Sequence, residues 1–271
     1  VLGVCAIGAG TLLLSGCDGF RPASSQFSDD TGVQQAVTAV RLETGSGSVR
    51  IRTGAQPNVH RTVYYVNDKP GQTSRFEGGT LVLEGCKTRN CSVDYDVTLP
   101  AGAKVMGEVG SGEVEIAGMS EVGVRAGSGD VRVRDITGPV TVNVSSGRAE
   151  LTGLAQSAVV EASSGDIVLA DIKGDVTVLS RSGEVTASGI GGRTSVDSSS
   201  GDVQLTMASP QNVKASASSG NIDLRVPRTG AYRLDIKTSS GDQNVNIDTS
   251  ASSGTVLDLD ASSGDITVDY T

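Results

Sequence analysis

Tryptophan is missing from this 271-residue chain, histidine occurs once, and five Tyr with three Phe make up its 3% of aromatics. Such a supply excludes a row of stacking platforms for sugars or bases along the molecule. Positive charge is also scarce, with 22 Lys and Arg against 31 Asp and Glu. A net charge of −9 leaves no basic stripe for a nucleic-acid backbone, so nucleic acid is not an expected partner. Beyond the first seventeen residues no apolar run reaches the roughly 18 residues of a membrane-spanning helix. The lone His60 and the lack of a Gly-x-Ser-x-Gly elbow argue against a Ser-His-Asp hydrolase. No segment after the leader carries the 3.6-residue periodicity of a confident helix.

What the chain has in abundance is glycine, 36 residues of it, and much of that glycine is placed periodically. A Ser-Gly pair returns every 17 to 19 residues at Gly112, Gly129, Gly147, Gly165, Gly183, Gly201 and Gly220. A period of that size marks a solenoid in which each repeat is one coil. Two residues after each glycine stand Val114, Val131, Ala149, Ile167, Val185, Val203 and Ile222, and two further on Ile116, Val133, Leu151, Leu169, Ala187, Leu205 and Leu224. This is a short alternating strand of residues suited to half-buried pleated backbone. Apolar residues seven after the glycine, such as Ile136, Leu154 and Ile172, mark an inward corner, and a second alternating strand leads to the next Ser-Gly. The expected fold is therefore an all-β, single-chain parallel β-helix of about ten coils, a rod about 50 Å long at about 4.8 Å per coil.

Each Ser-Gly step suits a tight corner at positive φ, and the residue after it is usually acidic. A row Asp130, Asp166, Glu184, Asp202 would thus run along one edge, interrupted by Arg148. Two readings follow: a solvated polar edge, or a calcium-binding row that would make the protein a calcium-stabilised structural module. Asp135 and Asp171 share a corner offset, but Gly153 holds it in the intervening coil, so they read as corner residues rather than a catalytic acid and base. Gly189 to Ser195 is glycine-rich but lacks the lysine of a phosphate loop. No catalytic residues, cofactor or metal are expected.

The organisation along the chain reads as four parts. Residues 1–16 form an apolar leader, and Leu14-Ser15-Gly16-Cys17 resembles the lipobox of bacterial lipoproteins. That resemblance implies a signal peptide, cleavage before Cys17, and a diacylglycerol on Cys17 as membrane anchor. Residues 17–38 are polar and Ser/Asp-rich, the expected flexible tether. Residues 39–104 hold a first coil and an irregular N-terminal antiparallel β excursion or cap, in which Cys86 and Cys91 are expected to form a disulfide across a hairpin tip. Two cysteines without a further Cys or His pair nearby cannot complete a zinc site. Residues 105–271 carry the solenoid repeats, with Ser-Gly intervals that shrink near Gly254 and Gly264.

The Ser-Gly-Asp-Val/Ile units, the Asp96-Val97-Thr98-Leu99-Pro100-Ala101-Gly102 segment and corners such as Ile136-Thr137-Gly138 resemble the bacterial β-helix family of putative adhesins, a domain of unknown function in cell-envelope proteins. The resemblance spans nearly all of the chain after the leader. It implies a parallel β-helix at the cell surface with an adhesive or envelope-stress role and no shared catalytic residues. The expected function is a non-enzymatic, lipid-anchored surface protein on the extracytoplasmic face of the cell membrane. It would bind or scaffold envelope components, other proteins or host surface molecules. The candidate contact face is His60, Tyr64, Tyr65, Phe76 and Tyr95, since aromatics outside a repeat suit interface anchors; the same residues also read as the core of the cap. A carbohydrate-active β-helix enzyme of the envelope is the alternative from another class.

Overall fold

The computed structural model describes residues 24–271. The expected signal peptide, the expected lipidation site Cys17 and residues up to 23 of the expected tether lie outside the described residues. Among the described residues every regular element is a β-strand, and no helix is long and apolar enough to cross a membrane. The strands form two sheets of 13 and 12 strands, pairing in parallel over most of their extent.

The chain begins with β1 (Ser25–Gly32), β2 (Ala39–Ser46), β3 (Val49–Thr53), β4 (Asn58–Tyr65), β5 (Ser74–Glu77), β6 (Thr80–Glu84) and β7 (Cys91–Leu99). The regular coils run from β8 (Lys104–Ser111) and β9 (Val114–Ala117) to β20 (Val213–Ser219) and β21 (Ile222–Val226). The tail holds β22 (Arg233–Ser240), β23 (Gln243–Val245), β24 (Val256–Ser263) and β25 (Ile266–Tyr270). Leaving aside β1, β4 and β5, each sheet contributes eleven strands, one per coil. The stack is therefore about 55 Å long.

The alternation read from the sequence is the alternation observed. Val122, Val140, Ala158, Val176, Thr194 and Val213 stand in register across neighbouring strands and all face inward. Ile167, Leu169 and Ile172 of one coil are fully buried, as are their equivalents above and below. No single coil encloses them; the continuous core exists only in the stack.

At the Ser-Gly corner, ten glycines line up with φ between +111° and +153°. A Cβ on Gly165 would lie 1.9 Å from the Gly147 carbonyl oxygen, so both the backbone conformation and the coil beneath demand glycine. Nine of them, all but Gly241 in the outermost tail coil, donate their N–H to the serine carbonyl of a neighbouring coil, as Gly165 does to Ser182 at 3.1 Å, which carries the ladder around the bend.

Three features depart from the sequence reading. Coils do not stack in chain order at the two ends: β2 and β3 lie between β6/β7 and β8/β9, and β24 and β25 lie between β20/β21 and β22/β23. Inward alternation is the same on both sides of a coil, so the period cannot say on which side the next coil lands. Gly254 accordingly lies outside the glycine row, which passes from Gly220 to Gly264 to Gly241. Secondly, Ser25–Gly32, expected within the tether, is a strand antiparallel to β4, because its alternation lets Phe27 turn toward the core. Thirdly, Cys86 and Cys91 are bonded, but not across a hairpin tip. β6 and β7 belong to different sheets, so the disulfide closes the corner that other coils turn with a Gly-Asp step.

Candidate interaction surfaces of the solenoid

The head of the rod is built around Arg61 and Tyr95. β4 crosses the end of the 13-stranded sheet between β1 and β7, placing Val59, Arg61, Val63 and Tyr65 on its inner face. Arg61 makes a two-pronged ion pair with Asp29 on β1, Nε to Oδ1 at 2.6 Å and a terminal nitrogen to Oδ2 at 2.7 Å. It also donates to the Gly71 carbonyl and the Thr73 hydroxyl, both at 2.9 Å. Phe27 lies against this group, with the Arg61 guanidinium 5.5 Å and the Lys69 ammonium 4.2 Å from the ring centre, and Tyr65 meets its edge at 5.9 Å. The Arg61 guanidinium holds the Asp29 carboxyl below the usual carboxylate range. Tyr95, 2% exposed, places its hydroxyl 2.6 to 2.8 Å from the Thr73 carbonyl, the Thr73 hydroxyl and the Glu84 carbonyl. Burial pushes that phenol up to about 12.

The five residues expected to form a contact face do not form one. Tyr95 is core, and Tyr65 and Phe76 are half-buried against the core. Tyr64 is exposed on the outer face of β4. His60, on that same face, sits 3.0 Å from Asp30, which also accepts from Asn58 at 2.8 Å. The aromatics are thus the sealing core of the cap, with Tyr64 alone outside it. Arg61 and Asp29 escaped the sequence reading because their pairing joins strands 32 positions apart.

The acidic row is a set of corner braces. Asp130 Oδ1 accepts the Arg148 amide at 3.0 Å, Asp166 the Glu184 amide at 3.2 Å, and Asp202 the Asn221 amide at 2.8 Å. Asn221 accepts from the Asp265 amide at 2.9 Å in the same way, so the position needs an oxygen acceptor rather than a charge. Glu184 accepts from Gln204 and Thr186. Among the described residues no group of three or more His, Cys, Asp or Glu is placed to hold a metal ion. The same logic governs Asp135 and Asp171, which sit at φ +56° and +55° in a corner row where Gly118, Gly153 and Gly189 alternate with them. They are corner residues of coils that are not adjacent, as expected.

Two outer walls remain. On the 13-stranded sheet, arginines and carboxylates interlock from coil to coil: Arg50 with Glu115 at 2.7 Å, Arg52 with Asp96 at 3.2 Å, Arg132 with Glu150 at 3.4 Å and with Glu113, and Arg148 with Asp166 at 3.3 Å. The Arg50 guanidinium holds Glu115 below its ordinary range. On the 12-stranded sheet a shallow groove of about 730 Å³ is floored by Gly45, Gly110 and Gly127 and flanked by Glu108, Arg125 and Asn143. Glu108 and Arg125 approach to 3.3 Å, and both are largely exposed. Asp29, Asp30, Glu77 and Glu115 are each held below the ordinary carboxylate range, by Arg61, by Asn58 and His60, by Arg75 and Arg41, and by Arg50 respectively.

The family model Toastrack DUF4097 matches residues 37–269. No curated protein matches the chain. Solved structures similar to it include a "putative adhesin" from Bacteroides fragilis, 14% identical over 93% of this chain and 100% of that one, TM-score 0.40. Another is a "putative adhesin" from Parabacteroides distasonis, 14% identical over 91% and 97%, TM-score 0.35. A third is a "putative cell adhesion protein" from Clostridium sporogenes, 10% identical over 91% and 100%, TM-score 0.28.

Proposed function

The chain belongs to the Toastrack DUF4097 family, and from that premise we propose that it is an adhesin-like, non-enzymatic binding or scaffolding module of the bacterial cell envelope, anchored through a lipid on Cys17. The observation that carries this reading is where the ionisable groups lie. Arg132, Glu113, Glu115 and their neighbours knit one outer wall, Asp130, Asp166 and Asp202 brace corners, and the groove beside Glu108 and Arg125 is open and shallow. A rigid rod with polar walls and a core filled by aliphatic side chains suits display and contact rather than bond cleavage. The bonded Cys86–Cys91 pair supports an oxidising, extracytoplasmic compartment, which agrees with the lipobox-like Leu14-Ser15-Gly16-Cys17.

The test is to express the full chain in a bacterium and compare it with Cys17→Ala by detergent phase partitioning, mass spectrometry of the N-terminal peptide and protease treatment of whole cells. The expected result is a diacylated Cys17 peptide and a membrane fraction lost in the variant. An unmodified Cys17 peptide, or equal partitioning of the two proteins, overturns the anchoring. Binding is read separately: Ser145→Arg places a large side chain in the groove from an exposed lining position and is expected to abolish retention of envelope material by the immobilised chain.

A further inference from the structure

The two ends of the rod are finished differently. At the head, Leu81, Leu83, Val93 and Val97 of the outermost full coil are all fully buried, because β1, β4 and β5 with Arg61 and Phe27 close over them. At the tail, β22 and β23 form the outermost coil, and among the described residues no strand lies beyond either; Asp248 to Ser250 meet the backbone of Tyr232, just before β22. The inward-facing Leu234 and Ile236 are only half-buried, whereas Leu257 and Leu259, their register partners one coil inward, are fully buried. Val245 on β23 is 39% exposed.

The tail also presents unused backbone. In the coils before it, the first inward-facing residue of the strand donates its N–H to the next coil toward the tail, as Val122 does to the Pro139 carbonyl at 3.2 Å and Val176 to the Arg193 carbonyl at 2.8 Å. The equivalent residue on β22 is Leu234, and it has no next coil. Arg233 bonds back to Thr255 at 2.9 Å, which fixes the phase: Leu234, Ile236 and Thr238 direct their backbone groups to the open edge.

We propose that this edge pairs antiparallel with β22 of a second copy of the chain, tail to tail, in a register centred on Ile236. The commitment to a second copy rests on charge. A two-fold axis perpendicular to the sheet can be centred on any residue of β22. Centring on Lys237 sets Lys237 against itself, and centring on Thr238 sets Lys237 against Ser239 with no opposite charge to meet it. Centring on Asp235 sets Asp235 against itself and Arg233 against Lys237, which repels throughout. Centring on Leu234 needs the backbone of Tyr232, already bonded to Asp248 and Ser250. Centring on Ile236 sets Asp235 against the second copy's Lys237 twice, faces Ile236 with its own equivalent, and forms about six inter-chain hydrogen bonds. β23 follows with Gln243, Asn244 and Val245, which carry no charge to oppose the pairing. The apolar tail is covered by the pairing, and β1 of each copy stays at the far end of the doubled rod.

The experiment is sedimentation velocity on the full chain in detergent micelles, for the wild type, Asp235→Lys and Lys237→Asp, alone and mixed. The wild type is expected to dimerise. Each variant places two like-charge pairs in the interface and is expected to weaken self-association about tenfold or more. An equimolar mixture of the two variants restores two opposite-charge pairs and is expected to form a heterodimer as tight as the wild type. Both positions are exposed, and circular dichroism of each variant checks that the fold is retained. A wild type that remains monomeric up to about 100 μM, single variants that dimerise like the wild type, or a mixture that stays monomeric each overturns the proposal.

Discussion

Gly264 stands directly over Gly220: a Cβ on Gly264 would lie 2.1 Å from the Gly220 carbonyl oxygen, although the two residues are 44 positions apart. At the other end Gly112 stands over Gly47 in the same way, at 2.1 Å. Both relationships say that the chain lays one coil beyond its neighbour and then returns to fill the gap or to continue from the other side. The first and last coils in sequence are each covered on both faces, and the exposed ends of the rod are made by segments that need loops of their own. β6/β7 carry the disulfide-closed corner, and β22/β23 carry the loop through Ser250 to Thr255.

Glycines in this row and glycines that merely follow serine are expected to respond differently to substitution. Gly165→Ala forces an alanine to φ +123° and drives its Cβ into the Gly147 carbonyl, costing at least about 2 kcal/mol. Gly254→Ala meets nothing within 4 Å and is expected to stay within about 0.5 kcal/mol of the wild type. Urea unfolding of both variants checks this, and equal losses would contradict the coil order.

The opposite corner makes a second prediction by double-mutant cycle. Asp135 Oδ1 occupies the space in which a Cβ on Gly153 would sit, 2.8 Å away, so Gly153→Asp is expected to cost about 1 to 2 kcal/mol. Asp135→Gly alone is expected to be nearly neutral, since glycine adopts φ +56° without strain. The double variant should recover most of the loss. A purely additive cycle would mean that the alternation of Asp and Gly along this row has another cause.

What was legible in the sequence follows from the range over which each feature is determined. Val122, Ile136 and Ile167 announce themselves because inward alternation and corner spacing are local to one coil and repeated in the next. Coil order was illegible because the same alternation fits either side of a neighbour. β1 is hidden in the sequence because Ser25–Gly32 is polar at most positions and gains its place from Phe27 and Asp29 meeting Lys69 and Arg61 across the head. The aromatics are legible as a cluster in the sequence, but their side-chain directions are not: Tyr64 and Tyr65 are adjacent in sequence and face opposite sides of one strand. The acidic row was visible as a row; that its oxygens are spent on amides of the next coil required the backbone.

Tyr95 supplies a spectroscopic prediction. A phenol raised to about 12 by burial stays protonated at pH 10, where an ordinary tyrosine is half ionised. Wild type and Tyr95→Phe should therefore show the same phenolate absorbance near pH 10 and diverge only toward pH 12. Because the folded value is raised, the stability tied to this group is present below about pH 10 and is lost as the pH climbs toward 12. Removing the hydroxyl leaves the Thr73 and Glu84 carbonyls without it, so Tyr95→Phe is expected to cost about 1 kcal/mol at neutral pH.

The Arg61–Asp29 pair predicts the behaviour at the acid end. Asp29 is held below its ordinary value, first by the hydrogen bond from Arg61 and then by the charge on the same guanidinium. A depressed carboxyl contributes stability that is fully present above the unfolded value near 3.9 and is lost as the pH falls through the folded one. Asp29→Asn should thus lower stability at pH 7 and flatten the fall in stability below pH 4. Arg61→Ala removes the partner of Asp29 together with the donors to Gly71 and Thr73, and it uncovers the ring of Phe27; a loss of about 1 to 3 kcal/mol is expected. Since the lesion lies at the sealed end, amide exchange should accelerate in β1, β4 and β7 and stay unchanged in the central coils, because coils in a stack touch only their neighbours. Acceleration spread evenly along the rod would mean that the solenoid unfolds as one unit and that the head does not act as a separate seal.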